Sequence, residues 1–132
     1  MYSSYDVGKQ LDRTSGYLDT DNFDYGSLFS TSFNKMNKAE RIATFDSGST
    51  HAMTLTAVDL DKDGNPIKWK VENSWGANNG VNGCLIMTNR WFNEYMFRLV
   101  VDKKYVPETL LKEFDQKPLM VMPEDPLFGQ DD

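Results

Sequence analysis

The sequence predicts an α+β domain built around an antiparallel sheet, and three observations lead there. Apolar and polar residues alternate along residues 50–60, they alternate again along 67–75, and an Asp-Gly pair lies between the two runs. At 132 residues the chain fits one ordinary domain with a single core. Hydrophobic residues make up 39% and charged residues 26%, a balance that places it well above disordered chains.

Each element follows from local chemistry. Residues 1–49 are rich in Asp, Asn, Ser, Gly and Tyr with weak periodicity, so they are expected to be loops with short helices, turning at Thr14-Ser15-Gly16 and Asp19-Thr20-Asp21-Asn22. The best helix there is 37–43, rich in helix formers and preceded by Ser32-Phe33-Asn34-Lys35-Met36. In the first strand His51, Met53, Leu55 and Ala57 share one face. Asp63-Gly64 marks the turn of a hairpin, and the return strand puts Trp69, Val71, Asn73 and Trp75 on its apolar face. A Gly and Asn loop over 76–83 leads to a short apolar strand, 84–88. Thr88 or Asn89 is placed to cap a helix over 90–95, and 96–101 reads as another strand. Residues 107–114 read as a helix with Pro107 in its first turn.

Charge and hydropathy narrow the function. Fourteen Lys and Arg against 20 Asp and Glu leave a net charge of -6, which repels phosphate backbones and anionic membranes, so neither nucleic acid nor membrane is expected as a partner. There is no apolar run of about 18 residues to cross a membrane. Residues 1–6 carry neither a basic nor an apolar stretch, and the lone Cys84 has no internal partner for a disulfide. A cytoplasmic location is the expectation.

The polar residues on an apolar face need a reason. With the hairpin centred on residue 62, His51 faces Asn73. Centred on 63, it faces Trp75, with Asn73 on the diagonal. Opposed Cβ atoms lie about 4.5–5.5 Å apart and diagonal ones about 7–8 Å, so an imidazole and a carboxamide can meet in either register. One reason is catalytic: Asn73 holds one ring nitrogen, Trp75 keeps water from that bond, and the other nitrogen serves a cysteine nucleophile. The other is structural, a buried histidine satisfied by an amide, and on spacing alone this is the commoner arrangement.

The words around these residues then become specific. Thr50-His51-Ala52-Met53 followed by Trp69-Lys70-Val71-Glu72-Asn73-Ser74-Trp75-Gly76 resembles the histidine and asparagine motifs of papain-like cysteine peptidases, most closely the aminopeptidase C and bleomycin hydrolase family. Asp6-Val7-Gly8-Lys9-Gln10, Lys38-Ala39-Glu40-Arg41 and Trp91-Phe92-Asn93-Glu94-Tyr95 are similar to that family's segments, in its order and spacing. The resemblance runs from about Tyr5 to about Pro126. It implies the C-terminal half of a papain-like fold, with an antiparallel, barrel-like sheet and short flanking helices. The chain is then one C-terminal, His/Asn-bearing portion over 1–132, with 116–132 as a C-terminal arm.

The activity implied is that of a cysteine aminopeptidase acting on peptides, with His51 as general base and thiolate partner, Asn73 orienting it and Trp75 shielding the pair. The nucleophile does not carry over. In the papain pattern the histidine follows the cysteine by about 130–150 residues, whereas the 50 residues before His51 contain none. The implied partner is therefore a cysteine-bearing half, without which the chain is expected to be inactive and to expose apolar surface. Intact members form homo-oligomers, hexamers. A non-catalytic peptide-binding or regulatory remnant and a complementation subunit are the rival readings. In the tail, Pro123-Glu124-Asp125-Pro126-Leu127-Phe128 resembles the family's arm, with Glu124 where tryptophan is usual and Gly129-Gln130-Asp131-Asp132 departing from its small apolar ending.

Other chemistry is weaker. Cys84 follows His51 and lies in an apolar strand, where a free cysteine packs as a small hydrophobe; the resembled family more usually has an aromatic residue there. Asp59, Asp61, Asp63 and Gly64 match positions 1, 3, 5 and 6 of a calcium loop, but position 12 is Lys70 instead of an acid. No zinc spacing and no phosphate-binding glycine pattern occurs, so neither metal nor cofactor is expected.

Overall fold

The computed structural model describes residues 1–32 and 36–128. Among these residues seven strands form one sheet in the order β2-β3-β6-β5-β4-β1-β7, curled into a half-barrel accompanied by a few short helices. The strands are β1 (Tyr2–Tyr5), β2 (Leu11–Asp12), β3 (Tyr17–Leu18), β4 (His51–Leu60), β5 (Pro66–Glu72), β6 (Cys84–Thr88) and β7 (Met96–Val100). The helices are α1 (Tyr25–Phe29), α2 (Lys38–Ala43), α3 (Asn89–Tyr95) and α4 (Glu108–Leu111). No helix among the described residues is long and apolar enough to cross a membrane.

The hairpin forms, but shorter and less regular than the alternation predicts: β5 ends at Glu72, so Asn73 and Trp75 lie beyond the strand, and Ala57 pairs with Lys70 on the face opposite His51, Met53 and Leu55. Leu55 pairs with Val71 and Thr54 with Glu72, the register centred on residue 63. The pairing then shifts between Leu55 and Ala57, a bulge at Thr56, whose hydroxyl donates to the Lys70 carbonyl at 3.2 Å. At the turn, the Asp61 carboxylate accepts from the backbone N–H of Asp63 and of Asn65, both at 2.8 Å, while Asp59 pairs with Lys68 at 3.5 Å. Two of the candidate calcium ligands are thus committed to shaping the hairpin.

Two expectations about the composition and direction of the sheet are also corrected. The first third is not only loops and short helices: β1 lies in the sheet between β4 and β7, and β2 and β3 extend the other edge. β1 was hidden because its core-facing residues are Ser3 and Tyr5, both essentially inaccessible. Their hydroxyls satisfy each other at 2.5 Å, so a polar residue occupies a core position without being unpaired. The second correction concerns direction. Among the described residues every strand pairing is antiparallel except β3 with β6, which is parallel.

That parallel pair depends on glycine. Gly16 (φ +70°) and Gly80 (φ +60°) press together, so that a Cβ on Gly16 would stand 2.4 Å from the Gly80 Cα and one on Gly80 only 2.3 Å from the Cys84 carbonyl oxygen. The close approach lets Ile86 N–H donate to Gly16 O at 2.9 Å. We expect Gly80→Ala to cost about 2–4 kcal/mol, roughly a 7–15 °C fall in Tm, from left-handed strain plus the clash. Gly64 is the control: it has φ +85° and open space around the missing Cβ, so Gly64→Ala should show the strain of about 1–2 kcal/mol alone. Equal Tm values for the two variants would refute the packing argument.

The helices are fixed by caps and cations. Asn37 and Glu40 form a reciprocal capping box at the start of α2. From α2, Lys38 Nζ donates to the carbonyls of Asn93 (3.0 Å) and Met96 (2.5 Å), and Arg41 pairs with Glu94. Both cations thus sit at the C-terminal end of α3, where helix carbonyls lack partners. Thr88 caps α3 at its start. The expected helix over 107–114 is shorter than predicted: α4 stops at Leu111, a 3₁₀ turn spans Lys112–Asp115, and Pro107 is the N-cap instead of lying in the first turn. Phe114 is 83% exposed, and without a buried face a short helix has little to sustain it. Beyond it a 3₁₀ turn spans Pro126–Phe128. The expected departures at Gly129-Gln130-Asp131-Asp132, and Phe33-Asn34-Lys35 ahead of α2, lie outside the described residues.

Candidate active site

Three elements set the histidine. His51 opens β4 opposite Tyr5 of β1, and Tyr5 O accepts from the Thr50 N–H at 3.0 Å. Thr50 Oγ1 in turn accepts from the Val7 N–H at 3.3 Å. On the other side, Asn73 follows the end of β5, its N–H donating to Gly83 O at 2.9 Å. The two side chains meet: His51 Nε2 and Asn73 Oδ1 are 2.7 Å apart.

The backbone decides the protonation pattern of this pair. Ser74 N–H donates to Asn73 Oδ1 at 2.8 Å, so the carboxamide atom facing the ring must be the oxygen, which only accepts. The imidazole therefore carries its proton on Nε2, and Nδ1, which has no partner among the described residues, holds a free lone pair in the neutral ring. Asn73 Nδ2 is buried and finds no acceptor among the described residues, which costs about 1–3 kcal/mol. Flipping the amide would instead set its NH₂ against the Ser74 N–H.

Trp75 covers the pair. Its ring, in the loop beyond β5, stacks on the imidazole with centres 5.2 Å apart and planes 26° from parallel. Its carbonyl accepts from Asn79 Nδ2 at 2.5 Å, which ties it to the glycine loop. The structure thus brings together His51, Asn73 and Trp75. It separates Cys84 from them. Cys84 pairs with Glu72, and Glu72 with Thr54, so the thiol lies on the opposite sheet face from His51, Met53, Leu55 and Val71. No group of three or more His, Cys, Asp or Glu side chains among the described residues is placed to hold a metal.

Two contributors had no sequence signal. The Ser74 N–H is a backbone group, and Arg13, from the turn between β2 and β3, reaches the Trp75 ring with its guanidinium carbon 4.9 Å from the ring centre. A long exposed side chain 62 positions away leaves no pattern to read.

Just ahead of His51, the Ser47 hydroxyl donates to Asp6 Oδ2 at 2.8 Å. Burial raises the Asp6 carboxyl above its ordinary value, and the Ser47 bond offsets this in part. A raised folded-state value gives stability that is present below the unfolded-state pKa and lost as pH rises through the folded one. Relative to Asp6→Asn, which does not titrate, the parent should therefore gain Tm as pH is lowered from 7 to 4. A constant Tm gap between the two across that range would contradict it.

The comparisons with known proteins cover the same residues. A sequence profile of the Peptidase C1-like family matches residues 1–128. Bleomycin hydrolase of Rattus norvegicus is 46% identical over 124 residues, and aminopeptidase C of Lactococcus lactis subsp. lactis is 41% identical over 122, each alignment covering 92% of this chain. The crystal structure of PepW from Lactobacillus rhamnosis HN001 superposes with a TM-score of 0.86 at 42% identity over 97% of this chain. The chain spans 27% and 28% of those two relatives and 29% of the PepW chain. With its half-barrel sheet and its paired histidine and asparagine, the chain belongs to the Peptidase C1-like family.

Proposed function

We propose that this chain supplies the histidine and asparagine side of a cysteine aminopeptidase active site and is inactive until a cysteine-bearing part of the enzyme completes it. The observation that carries the reading is the 2.7 Å bond from His51 Nε2 to Asn73 Oδ1 under Trp75, which leaves Nδ1 available to a thiol. Names of the relatives supply the reaction class: hydrolase and aminopeptidase.

The geometry gives each group a step. Nδ1 takes the proton of the incoming thiol, producing a thiolate and an imidazolium whose other N–H stays bonded to Asn73. The thiolate attacks the peptide carbonyl carbon, and Nδ1–H delivers its proton to the leaving amine as the C–N bond breaks. Nδ1 then accepts a proton from water, whose oxygen attacks the thioester, and returns it to the departing sulfur. Trp75 limits water's access to the Asn73 bond throughout.

The surface supports the need for more protein. Leu119, Met120, Phe114 and Met122 are 88, 86, 83 and 73% exposed, more large apolar side chains in one segment than a self-sufficient domain leaves in water. We assign this segment to contact with the rest of the enzyme, in the homo-oligomer that the family resemblance implies.

The test is hydrolysis of aminoacyl fluorogenic substrates by this chain, by a separately produced cysteine-bearing part of a relative, and by their mixture. Activity confined to the mixture is the expected result. Turnover by the chain alone that is lost in Cys84→Ala would overturn the reading, and an inactive mixture that still binds peptide would favour a non-catalytic peptide-binding role.

A further inference from the structure

We propose that Arg13 is a positioning residue for the His51–Asn73 pair, acting through Trp75. Its cation clamps the indole over the imidazole, and the indole in turn protects the Nε2–H bond to Asn73. The inference rests on the reading of His51 and Asn73 given above and adds a residue to it.

The three groups form a chain of contacts. Arg13 lies 4.9 Å from the centre of the Trp75 ring, and that ring is stacked 5.2 Å from His51. A guanidinium over an indole is drawn to the negative face of the ring, and tryptophan is the strongest such partner among the side chains. Arg13 has no ion pair among the described residues. The neighbouring carboxylate, Asp12, is occupied by its own turn, accepting from Thr14 N, Ser15 N and Ser15 Oγ. The indole is thus the contact to which this exposed cation is committed.

Its position is set by the fold rather than by a loose loop tip. Asp12 O accepts from Gly16 N at 2.9 Å, and Gly16 O accepts from Ile86 N at 2.9 Å, so both ends of the Arg13 turn are fastened to β-structure. The facing loop is held by Asn79 through the Trp75 carbonyl, and the two loops touch at Gly16 and Gly80. Arg13 and Trp75 are therefore brought together by the same glycine contact that makes the parallel β3–β6 pair.

The size of the effect suits positioning. An exposed cation–π contact is worth about a two- to fivefold bias, enough to favour one indole orientation and too little to hold the domain together. When the indole swings away, water reaches Asn73 Oδ1 and competes with the imidazole N–H. Charge is the property that matters, so lysine should substitute and a neutral side chain of similar length should not.

His51 is the sole histidine of the chain, so its ring nitrogens and its Nε2 proton give single, unambiguous NMR signals. The experiment compares the parent chain with Arg13→Met, Arg13→Lys, Trp75→Leu and the Arg13→Met/Trp75→Leu double variant, with Tm as the check on folding. Arg13→Met is expected to speed solvent exchange of the His51 Nε2 proton about two- to fivefold and to shrink the Trp75 ring-current displacement of the His51 carbon-bound protons. Arg13→Lys should restore both. In the Trp75→Leu background Arg13→Met should add nothing. Exchange unchanged in a folded Arg13→Met, failure of lysine to rescue, or an equal Arg13→Met effect with and without Trp75 would each overturn the proposal. A parent His51 protonated on Nδ1 in the neutral ring would instead refute the underlying reading of the pair, whatever Arg13 does.

Discussion

His51→Ala, assayed in the mixture with the cysteine-bearing part, should lower kcat/KM by at least about 10⁴-fold, and Asn73→Ala by roughly 10²-fold. The difference follows from what each side chain touches. His51 Nδ1 has to receive the thiol proton and deliver it to the amine, so its removal leaves both transfers to water. Asn73 reaches the reacting atoms only through the imidazole, at 2.7 Å from Nε2. Without it the ring can rotate and exchange tautomers, yet a fraction of molecules stays productive. Because the two act as a unit, the double variant should be no slower than His51→Ala. Asn73→Gln should behave like Asn73→Ala, since one added methylene displaces the oxygen from both the ring and the Ser74 N–H, 2.8 Å away. Losses that multiply in the double variant would show that Asn73 acts independently of the histidine.

How much of this was legible from sequence depends on the length of the pattern that carries it. The β4–β5 hairpin was readable because two long alternating runs flank an Asp-Gly turn, but the alternation carries the return strand on to Trp75, whereas β5 ends at Glu72 and Asn73 meets His51 from the loop beyond it. Which of two registers holds was not readable, since both satisfy the alternation; the bulge at Thr56 sits beyond what periodicity resolves. β1 was missed because Ser3 is polar and buried, and β3 because two residues have no period. Its parallel pairing comes from Gly16 meeting Gly80, a contact 64 positions apart in the chain. Lys38-Ala39-Glu40-Arg41 was readable as a family word, and the fold supplies its physical content: both cations hold the carbonyl end of α3. Arg13 and the Ser74 N–H were out of reach, one being an exposed side chain and the other a backbone group.

The largest stability loss is expected at Trp91, and it bears on the site as well. Trp91 is inaccessible to solvent, and its indole N–H donates to Lys9 O at 2.8 Å. Its ring lies 5.9 Å from that of Tyr5 and 5.2 Å from that of Tyr95. Trp91→Ala removes the largest buried side chain and leaves the Lys9 carbonyl without its donor, so a loss of about 3–5 kcal/mol is expected from the cavity, with about 1 more from the bond. Against a total of about 5–15 kcal/mol for a domain, that is enough to leave a sizeable unfolded fraction. Trp91→Phe keeps most of the volume and loses the donor, and should cost about 1–2 kcal/mol. Urea unfolding at constant m-value gives both numbers from the midpoint shift. Tyr5 connects this to the chemistry, because it packs against Trp91 on one side and is the β-register partner of His51 on the other. In a Trp91→Phe chain that remains folded, the His51–Asn73 bond should therefore persist, since Tyr5 keeps a ring to pack on. In Trp91→Ala, Tyr5 loses that support, and the Nε2 proton of His51 should exchange with solvent faster at temperatures well below the Tm. Exchange at the parent rate in Trp91→Ala would show that the β1–β4 pairing holds the histidine without help from the core beneath it.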